Sequence, residues 1–260
     1  MVFALAVLSN ILLASAALAA PRSLGDRLAR RRASRQSQPN QRIDSDFESL
    51  AANASQVSYS TNWAGAVWDS YPAGTFTSVT GTFTVPTPKG ADGSASAWVG
   101  IDGDTCGSAI LQTGIDFTVS GGEVSYDAWY EWYPDYAHDF SGLDISSGDE
   151  IKITVTASTT KAGKAIIQNL STGQTVSKSL TSSSALCEQN AEWIVEDFEE
   201  SGGLVPFANF GTVKFTNAVA TIASGGSAGP AGATLIDIKQ NNKVLTTVST
   251  SSSGLTVSYV

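Results

Sequence analysis

The chain has 260 residues, 15 basic and 24 acidic side chains, one histidine, two cysteines and a formal charge of −9. With His138 as its single histidine it cannot build a histidine-rich metal site, and two cysteines cannot make a thiolate zinc site. Its acidity excludes nucleic acid as a partner.

In chain order, "MVFALAVLSNILLASAALAA" (residues 1–20) is short, apolar and ends in small residues, as a secretory signal peptide does. No later apolar run is long enough to span a bilayer, so a secreted, extracellular product without membrane association is expected. Residues 21–57 hold all seven arginines of the chain and one aromatic residue, Phe47, the composition of a pro-segment and not of a core. From residue 58 onward there are eight lysines and twenty acids, a formal charge of −12. The basic segment and the acidic domain, residues 58–260, are electrostatic complements. The expectation is that the segment sits on a carboxylate-rich surface at neutral pH, inhibits its own domain, and is released as carboxylates protonate around pH ~4.

Within 58–260, alternating and β-branched runs bounded by Gly, Ser, Thr, Asn and Asp recur without helical periodicity. Examples are "TFTSVTGTFTVP", "EVSYDAWYEWYP", "EIKITVTAST" and "GTVKFTNAVATIA". "NLSTGQTV" and "KQNNKVL" read as hairpin turns. The pattern predicts an all-β, two-sheet antiparallel sandwich of jelly-roll, concanavalin-like type. Asn53 and Asn169 are glycosylation acceptors by sequence. Cys106 and Cys187 are most simply one disulfide in an exported chain.

Carboxylates, amides and aromatics remain to carry any chemistry, since a serine or cysteine triad would depend on His138 alone. Read as strands, three stretches place such residues together. Trp98, Gly100 and Asp102 share one face; Ile110, Gln112, Gly114 and Asp116 share another; Asp127, Trp129, Glu131 and Tyr133 share a third. In "AEWIVEDFEE" the same period sets Glu196 between Ile194 and Phe198, a costly position for a carboxylate without a task. A sheet lined in this way suits an extended polymer.

The stretches "TNWAGAVW", "SAWVGIDGDTC", "AILQTGIDF", "YDAWYEWYPD", "NAEWIVEDFEE" and "LVPFANF" together resemble the glutamic peptidases, the eqolisin family of secreted fungal acid endopeptidases, over essentially all of residues 58–260. The resemblance implies a catalytic pair of Gln112 and Glu196, a cleft including Trp98, Asp102, Asp116, Asp127 and Glu131, and a Cys106–Cys187 disulfide. It implies protein or peptide substrates and no cofactor or metal; a monomer is expected. Chemically, Glu196 can take a proton from water and return it to the leaving amine, while Gln112 donates to the oxyanion. The competing readings are a jelly-roll glycoside hydrolase using Glu131 and Glu196 and a non-catalytic lectin.

Overall fold

The computed structural model describes residues 34–43 and 57–260, organised as strands. The expected export signal, Asn53 and most of residues 21–57 lie outside the described residues.

Two large sheets face each other. One runs, in spatial order, Thr175–Thr181, Ala162–Asn169, Glu150–Thr159, Phe76–Thr84, Thr212–Ile222, Gly254–Tyr259, Thr246–Ser251. The other carries the site and runs Arg42–Ile43, Val57–Ser60, Thr234–Gln240, Trp63–Trp68, Ala191–Glu196, Gly93–Ile101, Ile110–Ser120, Glu123–Tyr133, His138–Asp139. The ladders are antiparallel except Val57–Ser60 against Thr234–Gln240.

Alternation decides which side chains meet. In Ala191–Glu196, the side chains of Ala191, Trp193 and Val195 enter the core between the sheets, whereas Ile194 joins a second apolar cluster with Trp63, Trp98, Ile110 and Trp129. The inter-sheet core contains Phe83, Phe117 and Phe215, whose rings meet edge to face at 6.3 and 5.4 Å, together with Ile151, Ile153 and Val155. Each such side chain contributes roughly 1.5–3 kcal/mol of transfer free energy. Trp193 is held inside by its indole N–H, which donates to the Thr80 carbonyl at 2.8 Å.

Both expected hairpins are present. Asn241 and Asn242, with φ of 49° and 61°, turn the chain between Thr234–Gln240 and Lys243–Val244, the two left-handed residues of a type I′ turn. "NLSTGQTV" joins Ala162–Asn169 to Thr175–Thr181. Asn169, a glycosylation acceptor by sequence, is buried at the end of Ala162–Asn169, and its Nδ2 donates to the Asp144 carbonyl at 2.9 Å and to Asp149 Oδ2 at 2.8 Å. Cys106 and Cys187 form the disulfide, 81 residues apart. Closing a loop of that length is worth roughly 4–5 kcal/mol on the chain-entropy account.

Candidate active site

The site is laid out by strand register. Glu196 lies opposite Ser96, which lies opposite Asp116, which lies opposite Asp127. Two residues further along, Ile194, Trp98, Gly114 and Trp129 form the next row. Gly114 must be glycine: a Cβ there would stand 2.5 Å from the Cβ of Trp98. Two residues beyond, Glu192, Gly100, Gln112 and Glu131 complete a third row.

Trp98 connects the first row to the third. Its indole N–H donates to Glu196 Oε2 at 2.9 Å, and the far edge of its ring lies 2.8 Å from where a Gly100 side chain would begin, next to Gln112. Glu196 and Gln112 therefore occupy one face, on either side of one indole. Both are fully buried.

The burial comes from the chain itself. Residues 35–41 run extended along this face. Arg35–Gln36 adds as a strand to Glu199–Glu200, which pairs in turn with Gly203–Leu204. This is β-augmentation, in which main-chain hydrogen bonds hold a peptide regardless of its sequence. Three backbone contacts then fix the register over the site. Gln38 N–H donates to Glu196 Oε1 at 3.1 Å, Ser37 N–H to Glu131 Oε2 at 3.1 Å, and the Gln38 carbonyl accepts from the Trp63 indole at 3.0 Å. Asn62 accepts from Gln41 N–H at 2.9 Å and donates to the Pro39 carbonyl at 3.2 Å.

Arg35 is the anchor and is 2% exposed. Its guanidinium donates to both oxygens of Asp116 at 3.0 and 3.1 Å, to Glu131 Oε2 at 3.0 Å and to Ser96 Oγ at 3.2 Å. It is stacked between Trp129 at 3.6 Å and Phe198 at 4.6 Å. A planar fork that meets a carboxylate with two bonds and an aromatic face with its plane is a task lysine cannot copy. Further along, Arg42 bonds Asp104 and Asp69.

The acids of the covered face are shifted by burial. Burial pushes Glu196 up to about 7, with Arg35 opposing the shift. Burial likewise raises Glu131 well above the carboxylate range, again against Arg35.

Of the residues expected at the site, Gln112, Glu196, Trp98, Asp116 and Glu131 are brought together, and Asp127 ends the Asp116 row, half-buried. Asp102 is not in the cleft. The strand ends at Ile101, and Asp102 at φ 69° turns its carboxylate into the adjoining loop. There it accepts from the backbone N–H groups of Cys187, Glu188, Gln189 and Asn190 at 2.7, 2.8, 2.9 and 3.1 Å. Asp102 thus clamps the loop that leads into the Glu196 strand. Its carboxylate and the sulfurs of Cys106 and Cys187 lie within 4.8 Å of one another, but sulfurs bonded to each other are not thiolate ligands. His138 is exposed and stacked on Tyr130 at 5.6 Å. Trp63, Asn62, Ser96 and Phe198 were not singled out from sequence as site residues, although Asn62 and Trp63 stand inside the motif "TNWAGAVW".

Fold and site together define a β-sandwich enzyme whose cleft takes an extended peptide. The chain belongs to the Peptidase A4 family, whose model matches residues 61–259, and is a hydrolase, an acid endopeptidase of the glutamic class. It is 49% identical to Aspergillopepsin-2 of Aspergillus niger and 44% identical to Scytalidopepsin B of Scytalidium lignicola, in each case over 98% of both chains. Among solved structures it is similar to scytalido-glutamic peptidase with a transition state analog inhibitor, with a TM-score of 0.72 and 44% identity, over 77% of this chain and 98% of that one. Membership sets aside the glycosidase and lectin readings.

Proposed function

We propose that residues 58–260 are the catalytic domain of a secreted, monomeric acid endopeptidase, that residues 21–57 are its inhibitory pro-segment and residues 1–20 its export signal, and that Glu196 and Gln112 perform the hydrolysis. The observation that carries this reading is the 3.1 Å bond from the Gln38 backbone N–H to Glu196 Oε1: peptide backbone lies on the carboxylate, where a protein substrate would lie.

Once the segment leaves, water reaches Glu196, and the desolvation that most raises its carboxyl is relieved, which favours the ionised form. Glu196 then takes a proton from the attacking water as the new C–O bond forms. Gln112 Nε2 donates to the oxyanion, and its Oε1 holds the same water. As the C–N bond breaks, Glu196 returns the proton to the leaving amine. The Trp98 indole keeps the second carboxylate oxygen in place throughout.

The test is cleavage of denatured protein near pH ~4 by matured wild type, Gln112→Ala and Glu196→Gln, each with its fold verified by circular dichroism. Gln112→Ala should lose about 100- to 1000-fold, the usual loss for one oxyanion donor, and Glu196→Gln more. Full activity in either variant overturns the assignment. Inhibitors built for a proton-sharing Asp pair should leave the enzyme unaffected.

A further inference from the structure

Eight buried side-chain N or O atoms lack a hydrogen-bond partner among the described residues, and five of them belong to Glu192, Gln112 and Glu131. Those three residues share one cross-strand row with Gly100: Glu192 faces Gly100, Gly100 faces Gln112, and Gln112 faces Glu131. Native proteins leave few buried polar atoms unpaired, and a cluster of them calls for an explanation. Glu192 is the sharpest case, a fully buried carboxyl with neither oxygen bonded.

Gly100 makes the row continuous. A Cβ at Gly100 would stand 2.6 Å from Glu192 Oε1 and 3.4 Å from Gln112 Cβ. The Glu192 carboxyl therefore reaches over the neighbouring strand, through the space a side chain would fill, toward the side chain of Gln112. Glu131, on the other side of Gln112, already accepts through Oε2 from Arg35 and the Ser37 N–H, so Glu192 is the carboxyl of the row with neither oxygen engaged. The two ends of the Gln112 amide differ chemically: only Nε2 can donate to an oxyanion.

Resting on the reading of Gln112 as oxyanion donor, we propose that Glu192 is a positioning residue for Gln112: its neutral carboxyl donates across Gly100 to Gln112 Oε1, directly or through one water, and thereby presents Nε2 to the scissile carbonyl. Gln112 Oε1 has two lone pairs, so it can accept from Glu192 and still hold the attacking water. Ionised, Glu192 would only accept; it would draw Nε2 toward itself and turn the amide round. Burial, and after it the charges of Asp102 and Asp104, push the Glu192 carboxyl well above the carboxylate range, which keeps it neutral in acid. Val67 and Gly100, its partners on the two neighbouring strands, carry no charge; Glu131 lies at the far end of the row, and Arg42 of the covering segment bonds Asp104.

The experiment compares matured wild type with Glu192→Gln, Glu192→Leu and Glu192→Met, measuring kcat and KM from about pH 3 to 8, across the carboxylate range, alongside Tm. Glu192→Gln keeps an N–H donor at every pH. It should retain kcat within about threefold at pH ~4 and hold it to higher pH than wild type. The Leu and Met variants should lose about tenfold or more in kcat, with KM within about twofold, while Tm equals or exceeds that of wild type, because unpaired buried atoms have been removed.

The proposal is overturned if either apolar variant keeps kcat within about threefold of wild type, if Glu192→Gln is as slow as the apolar variants, or if the kcat–pH profiles of Glu192→Gln and wild type superpose. Should both apolar variants fail to fold, that last comparison decides alone. Activity surviving in Gln112→Ala would instead strike the underlying reading of Gln112, a separate result in a separate variant.

Discussion

The backbone N–H of Gln38 donates to Glu196 Oε1 at 3.1 Å while the Trp98 indole holds the other oxygen at 2.9 Å, so both oxygens of one carboxylate are occupied, one of them by the chain's own peptide. The densest anchor of that peptide is Arg35, with its two carboxylate partners and the two rings that sandwich it.

Removing Arg35 should release the segment. A synthetic peptide of residues 34–43 should inhibit the matured enzyme at neutral pH, and the Arg35→Ala peptide should bind about 100-fold or more weakly, since breaking a buried pair from one side costs roughly 3–5 kcal/mol. An inhibition titration reads this directly. Equal inhibition by both peptides would remove Arg35 from its anchoring role.

Inhibition should pass through a maximum as pH falls. In the covered state burial raises the carboxyl of Glu196 to about 7 and raises Glu131 well above the ordinary range. Groups whose pKa rises on covering take up protons with it, so affinity tightens from pH 7 downward by at most about tenfold per pH unit for each proton. Asp69 has the opposite sign: burial works to raise it, but the bonds from Arg42 and others win and hold it lowered, so its contribution is lost as pH falls through that lowered value. With that contribution gone, Arg42 loses one of its carboxylate partners. Inhibition constants measured from neutral to acid should show a maximum in mild acid and a loss in stronger acid; a monotonic curve contradicts this.

Replacing Asp102 with Ala should act on stability and not selectively on the chemistry. It would orphan four backbone N–H groups, each costing about 1–3 kcal/mol unless water reaches it. A Tm lower by roughly 10 °C or more, at every pH, is the expected outcome. A variant with unchanged Tm but reduced kcat would instead put Asp102 back at the cleft.

The folded protein should lose stability as pH rises. Burial pushes Asp197 up to about 7 and Asp237 up to about 6. A carboxyl raised on folding stabilises fully below its unfolded value near ~3.9, and that stabilisation is lost as pH climbs through the folded one. Asp197→Asn keeps an oxygen for the Gln240 amide, which bonds Asp197 Oδ2 at 2.7 Å, and never ionises. It should raise Tm at pH 7 by several degrees and change little at pH 3.5, a gain on the order of 1–3 kcal/mol.

Period-two reading located much of this. It put Glu196 and Ile194 on one face and Trp193 and Val195 on the other, because a strand with one face in a core permits a single register. It failed at Asp102, where the alternation that joins Trp98 to Gly100 was carried one residue past the end of the strand, into a left-handed turn that reverses the side chain. Residues 34–43 were legible as charge alone: arginine count predicts attraction, but which arginine enters the cleft depends on Trp129 and Phe198, far away in sequence. The isolation of Glu192 follows from Gly100 on another strand, which the period of its own strand does not show.

The segment is fastened at both ends, by Arg35–Gln36 on the Glu199–Glu200 strand and by Arg42–Ile43 on Val57–Ser60. If this segment is the inhibitor proposed above, then while the backbone from Ile43 to Val57 is unbroken it is present at a fixed effective concentration, of millimolar order for a short tether, however dilute the protein. One cut in that stretch makes inhibition bimolecular. From then on the enzyme's freedom depends on volume: crowded, the cleaved segment rebinds; dispersed into a large surrounding medium, it does not return. Dilution becomes the second half of the switch, and a single backbone cut arms it.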